Sequence, residues 1–246
     1  MKQIGRSLLR LAALLLLGVL ALQLYFAARI ALMMVIAPQS TTFQRSEAWR
    51  LGVETGRITW SQDWVDDKDL SKNLKRAVIA SEDAGFVEHG GVEWEALEKA
   101  WARNQREEQR AVKRVQTSKK GREPKVIGGS TISQQLAKNL FLSGERNLAR
   151  KGQEFIITLM LETLLSKQRI LEIYLNNVEW GEGVFGAQAA ARHYFRVDAK
   201  QLSPAQAARL AVMLPAPKRF EKRPASPYVV GRAATIEARM GAVELP

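Results

Sequence analysis

Residues 128–140 read Gly128-Gly129-Ser130-Thr131-Ile132-Ser133-Gln134-Gln135-Leu136-Ala137-Lys138-Asn139-Leu140, and the reading of the chain turns on them. Thr131 followed by Gln134 has the spacing of an N-terminal capping box, and the glycine pair supplies a loop before it. At about 100° per residue, Thr131, Gln135, Lys138 and Asn139 share roughly one third of the helix circumference. Ile132, Leu136 and Leu140 form the neighbouring apolar stripe, the side expected to face a core. A solvated helix carries Glu and Lys outward. Threonine, glutamine, lysine and asparagine together suit a polar, anionic ligand. Standing alone, the block equally fits an ordinary capped amphipathic helix.

Working outward, the periodicity is helical almost everywhere from Leu70 onward. Leu74, Ala77, Val78 and Ser81 make one face of a first helix, and Trp94, Leu97 and Trp101 of a second. Residues 150–176 are apolar and helical, broken near Ser166-Lys167 because Ser is a natural N-cap. Ser203, Pro204 and Gln206 form a helix start, and Pro215 and Pro217 close that helix. No alternating strand pattern and no internal repeat is visible, so the domain is expected to be mainly α. Gly181, Gly183 and Gly186 spell the dinucleotide fingerprint, but without a βαβ context they predict a flexible turn between two helices.

The chain has 246 residues, enough for one good-sized domain plus an appendage. Residues 11–28 hold no charged side chain, and apolar residues continue past Arg29 to Ala37 before Pro38. About 18 to 20 apolar residues suffice to span a bilayer as a helix. Lys2, Arg6 and Arg10 precede the run, which puts the N-terminus (1–10) in the cytoplasm and everything after Pro38 outside it. A cleaved signal peptide is the rival reading, disfavoured by the length of the run and the poor cleavage site at Ala27-Ala28-Arg29. Arg29 is expected near the outer interface, its stem snorkelling. Residues 38–69 form a juxtamembrane segment whose Trp49, Trp60 and Trp64 either sit at the membrane surface or pack on the domain.

There is no cysteine, hence no disulfide framework and no thiolate metal site. The net charge of +12, facing out from an anchor, suits anionic lipid head groups or an anionic lipid-linked substrate better than nucleic acid. The densest basic stretch, Arg103 to Lys125, has nine Lys or Arg against three Glu. It reads as a solvated, mobile loop, with a phosphate-attracting flap as the other reading.

Glu82 continues an apolar helix face to its end. A carboxylate at the edge of apolar surface is partly desolvated, which raises its pKa and suits general acid–base work. Asp83 is its neighbour and Phe86 could wall the site. His89 is one of two histidines; such a residue is more often packed and hydrogen-bonded than a ligand, and no partner stands at zinc spacing. Glu154 has Arg150 four residues before it, either a simple helix pair or a pair at a site. Two separated carboxylates beside a polar, cationic helix face form a kit for sugar chemistry: one handles the proton while Lys and Arg neutralise a departing phosphate.

Four blocks occur in order: E-D-x-x-F-x-x-H-x-G at 82–91, G-G-S-T-I-S-Q-Q-L-A-K-N at 128–139, R-K-x-x-E at 150–154 and R-I-L-E-I-Y-L-N at 169–176. With them the chain, over roughly residues 60–240, resembles the peptidoglycan glycosyltransferases of glycosyltransferase family 51. It is most similar to members lacking a transpeptidase, since neither S-x-x-K nor K-T-G occurs and no length remains for that domain. The resemblance implies a mainly α, lysozyme-like glycosyltransferase lobe (70–246) beside a small membrane-associated jaw, preceded by one N-terminal transmembrane helix (11–37). It implies a single-pass protein of the bacterial inner membrane with a periplasmic catalytic domain. It implies polymerisation of lipid II: the GlcNAc 4-hydroxyl attacks C1 of the donor MurNAc with inversion, and undecaprenyl pyrophosphate leaves. By resemblance Glu82 is the general base, while Glu154, with Lys138 and Arg150, assists or neutralises the pyrophosphate. Thr131, Gln135 and Asn139 position substrate, and Asp83, Phe86 and His89 shape its site. Some relatives use a divalent cation, so Mg²⁺ or Mn²⁺ could sit at the pyrophosphate. The implied partners are lipid II, the growing strand, the membrane and cell-wall synthesis or division proteins, with no nucleic acid.

Two departures stand out: Ala84-Gly85 replaces a bulkier pair, which is expected to loosen the turn after Glu82, and Ser133 replaces the usual Thr. A muralytic enzyme of lysozyme type and an idle membrane scaffold remain as alternatives. The Lys138 and Arg150 cluster argues against the first, and retention of both Glu82 and Glu154 against the second.

Overall fold

The computed structural model describes residues 2–95, 98, 129–142 and 147–246. The basic run 103–125, with Leu97 and Trp101, lies outside the described residues. What is described is mainly α with one N-terminal apolar helix, in agreement with the sequence.

Helix α1 spans Lys2–Leu32. Its 31 residues reach about 46 Å at 1.5 Å each, longer than a ~30 Å hydrocarbon layer. Its stretch Gly5–Leu32 is long and apolar enough to cross a membrane, and leucines from Leu8 to Leu24 are exposed on it. Only the end docks. Phe26, Ile30 and Met33 are buried, Phe26 meets Phe141 edge-on at 5.2 Å, and Gln23 and Gln153 exchange hydrogen bonds of 2.8 and 2.9 Å. Arg29 donates to the Tyr25 hydroxyl at 3.0 Å, as a snorkelling guanidinium would.

The segment after the anchor is more ordered than its composition suggests. Helix α2, Thr42–Thr55, opens on a capping box between Thr41 and Gln44 and ends on Gly56 in the left-handed region. The tryptophans divide: Trp60 stacks on Phe185 at 4.4 Å, the Arg169 guanidinium lies over Trp64, and Trp49 is 75% exposed.

Helices α3 (Lys72–Glu82), α4 (Ile132–Phe141), α5 (Leu148–Leu164) and α6 (Lys167–Asn177) carry the four sequence blocks. Ser166 caps α6 through its side chain, the predicted break. Helices α7 (Ala187–Phe195), α8 (Pro204–Met213), α9 (Pro217–Phe220) and α10 (Pro227–Met240) follow, and the box of Ser203 with Gln206 opens α8 as its spacing required. Helix α3 packs against α8 and α10, and α4 against α5 and α6, around one apolar core. The fourth block is structural glue. The Asn176 amide donates to Val65 O and accepts from Val65 N, both at 2.9 Å. Arg169 Nε donates to the Met33 carbonyl at 2.8 Å, tying the anchor's end to the domain.

The glycine trio is corrected by the structure: it is a buried hairpin, not a flexible turn. Strands β2 (Glu179–Gly181) and β3 (Val184–Phe185) pair antiparallel, and β1 (Ser61–Gln62) joins β3 in parallel. Strands of two or three residues are too short to leave an alternating signature. Gly186, at φ +80°, turns directly into α7, and a Cβ there would stand 2.6 Å from Asn176 O. Gly186→Ala is therefore expected to lower stability by ~3 kcal/mol or more. An unchanged urea midpoint would show that the backbone relaxes around the methyl.

Candidate active site

Helix α3 delivers Glu82 at its last residue, where the apolar face of Leu74 and Val78 runs out. Its carboxylate receives Gln135 Nε2 at 3.1 Å and Ser81 Oγ at 3.3 Å. Burial pushes Glu82 above the ordinary carboxylate range; the bonds from Gln135 and Ser81 oppose that, the Asp83 charge adds to it, and Arg232 lowers it slightly. Gln135 itself is aimed. The Tyr174 hydroxyl donates to its Oε1 at 2.8 Å, which leaves the amide nitrogen to face the carboxylate. Tyr174 is buried, and that burial, with Glu82 and Asp83 nearby, raises its pKa, so it stays a donor.

Asp83, the C-cap of α3, is 4% exposed. One oxygen contacts His89 Nε2 at 2.7 Å and the other accepts the Ile132 amide of α4 at 2.9 Å. Because Gly91 N–H donates to His89 Nδ1, the ring proton sits on Nε2 and points at Asp83. Phe86 is fully buried, with the Lys167 ammonium 4.6 Å from its ring centroid. These three residues spend their side chains on the protein. They pin the loop after Glu82 to the start of α4. The turn at Gly85 is closed by hydrogen bonds from Phe86 N to Asp83 O and Glu88 N to Gly85 O, at 3.0 and 2.9 Å.

Helix α4 has its capping box. The Thr131 hydroxyl accepts from Gln134 N and donates to Gly91 O at 2.6 Å, inside the protein. Ser133 is also buried, donating to Glu162 at 2.5 Å. The exposed side of α4 carries Lys138 and half-exposed Gln135 and Asn139. These three line a cleft of about 330 Å³ together with Ser130, Arg150, Lys151 and Glu154. Within it, Glu154 is 4% exposed, held by Arg150 Nη1 at 2.9 Å and by the Lys151 ammonium.

Thus Gln135, Lys138, Asn139, Arg150 and Glu154 converge on one cleft, and Glu82 joins it through Gln135. Thr131, Asp83, Phe86 and His89 lie behind the walls. Two participants were not singled out from the sequence. Lys151 stands three residues before Glu154 inside a block already quoted. Tyr174 looked like core, and only the position of its hydroxyl tells otherwise. The donor set does not fit a divalent cation by itself: Glu154 is the cleft's one carboxylate and is already taken by two cations. Among the described residues no group of three carboxylate or histidine ligands gathers.

The family model described as Transglycosylase matches residues 52–241. A "Biosynthetic peptidoglycan transglycosylase" of Burkholderia thailandensis is 54% identical over 227 residues, covering 92% of this chain and 83% of that one. A protein of the same description from Cupriavidus metallidurans is 53% identical over 249 residues, covering 98% of this chain and 99% of its own. One from Paraburkholderia xenovorans is 51% identical over 227 residues, covering 92% and 88%.

Proposed function

Because this chain belongs to the transglycosylase family, we propose that it is a peptidoglycan glycan-strand polymerase that consumes lipid II. The observation that carries this reading is the cleft itself. On one wall Gln135 donates to the desolvated Glu82 carboxylate just behind it, and on the other the Glu154 carboxylate is set between two cations.

Glu82 accepts the proton of the acceptor GlcNAc 4-hydroxyl. The oxygen forms its bond to C1 of the donor MurNAc as the bond from C1 to the pyrophosphate breaks, and the electron pair leaves with the undecaprenyl pyrophosphate. Attack from the side opposite the leaving group inverts C1. Arg150, Lys151 and Lys138 meet the negative charge that develops on the pyrophosphate, and Glu154 holds the first two in place. Gln135 positions Glu82 and, with Asn139, touches substrate. Thr131, Asp83, Phe86 and His89 are positioning residues. No step is routed through a divalent cation. Helix α1 anchors the enzyme in the cytoplasmic membrane with the cleft on its outer face.

Full-length protein in detergent, given labelled lipid II, is expected to make a ladder of glycan strands that lysozyme-type digestion collapses. No ladder, with fragments released from purified cell wall, would establish the muralytic reading. Silence in both assays would leave a scaffold.

The hydrogen bond from Gln135 lowers the Glu82 pKa against the rise from burial. Gln135→Leu removes it, so the Glu82 pKa climbs further. Since only the ionised form is a base, the acidic limb of kcat/KM is expected to move to higher pH. A limb that stays in place would separate Gln135 from the base.

A further inference from the structure

A second cleft, of about 370 Å³, lies between the start of α3 and the start of α6, with Lys72, Lys75, Arg76, Asp67 and Gln168 among its walls. Leu171, Leu245 and Pro246 complete the lining, and the side-chain charges do not cancel. Asp67 is consumed locally, Oδ1 by Lys75 Nζ at 2.6 Å and Oδ2 by Gln168 Nε2 at 2.7 Å. That leaves Lys72 and Arg76, for which no carboxylate among the described residues forms an ion pair. The Arg76 Nε atom is buried and makes no hydrogen bond within the protein. With Nε enclosed and unbonded and no carboxylate paired to it, the guanidinium carries its charge partly desolvated and uncompensated, and an anion on its outer Nη atoms would offset that cost.

The position of the cleft says which anion. Gln168 lines both this cleft and a neighbouring hollow walled by Met34, Leu165 and Arg169. Arg169 is the residue that holds the Met33 carbonyl, immediately after the membrane-length helix ends at Leu32. With α1 spanning the membrane as proposed above, the basic cleft opens near the level of the lipid head groups, and the hollow beside it supplies apolar wall. We propose that this cleft binds the phosphate of an anionic phospholipid head group, with Lys72 and Arg76 as its ligands. The site is separate from the catalytic cleft: the two share no lining residue. Occupied, it would fix how the domain sits on the bilayer.

The test uses full-length protein reconstituted in nanodiscs of zwitterionic lipid containing a minor fraction of phosphatidylglycerol. After mild detergent extraction, native mass spectrometry counts the phosphatidylglycerol that each chain retains. The parent is expected to retain about one, and Lys72→Ala with Arg76→Gln, which removes two charge-assisted contacts, to retain it at least about tenfold less. Lys72→Arg, which keeps the charge on an exposed position, is expected to retain it like the parent. If the double variant does not fold, Lys72→Ala alone decides, again by reduced retention. Equal retention by parent and charge-removed variants would overturn the site. Binding of inorganic phosphate with no lipid retained would overturn the lipid assignment.

Discussion

Glu82→Gln is expected to abolish strand growth while leaving the protein folded and able to bind lipid II. Removing a general base costs about 10²–10⁴ in rate. The substitution is close to isosteric, so the loss falls on proton transfer and not on packing. Stability should not fall. Burial raises the native pKa of Glu82 above its ordinary value, so the native state prefers the neutral form and ionisation at neutral pH opposes folding. A neutral glutamine lifts that penalty, and the urea midpoint is expected to match or exceed the parent's. Turnover of labelled lipid II and a binding titration separate the two effects. Normal chain growth by the variant would remove Glu82 from its role.

Asp83→Ala is expected to act mainly on the fold, and through it on the site. The carboxylate is buried and receives both the His89 Nε2 proton and the Ile132 amide. Truncation leaves two buried donors without partners, at about 1–3 kcal/mol each, and removes a negative charge from the N-terminus of α4. The sum, ~2–7 kcal/mol, is a large share of a typical domain's 5–15 kcal/mol. Glu82 is the adjacent residue, so polymerisation is expected to drop beyond the unfolded fraction. Asp83→Asn can keep one acceptor and should lose about half as much stability. Denaturation curves and rates measured where the variant is fully folded check both parts; a variant as stable as its parent would show that the latch carries no weight.

How much of this was legible in the sequence depends on the range of the interaction. Capping boxes at Thr131 and Ser203 and the N-cap at Ser166 are closed within four residues, so spacing alone exposes them. The membrane-length run and the apolar faces of α3 and α4 are likewise written locally. The α2 box at Thr41 and Gln44 is equally local but has no apolar stripe behind it, and it passed as scattered polar residues.

The sequence by itself determined a mainly α chain with an apolar N-terminal helix, four ordered blocks and a candidate set of Glu82, Asp83, Phe86, His89, Thr131, Gln135, Lys138, Asn139, Arg150 and Glu154. Tertiary structure alone decided which of the blocks' residues face the cleft and which work behind it. Thr131, Asp83 and His89 look as polar as Gln135 in a string of letters, yet their bonds turn inward to Gly91 and Ile132. Tyr174 looks like core, yet its hydroxyl aims the amide that meets Glu82. Partners 39 to 53 residues apart in the chain make these contacts, and no helical or strand period reports a pairing at that distance. The fold chooses it, because a buried donor or acceptor must find its partner wherever packing has placed one.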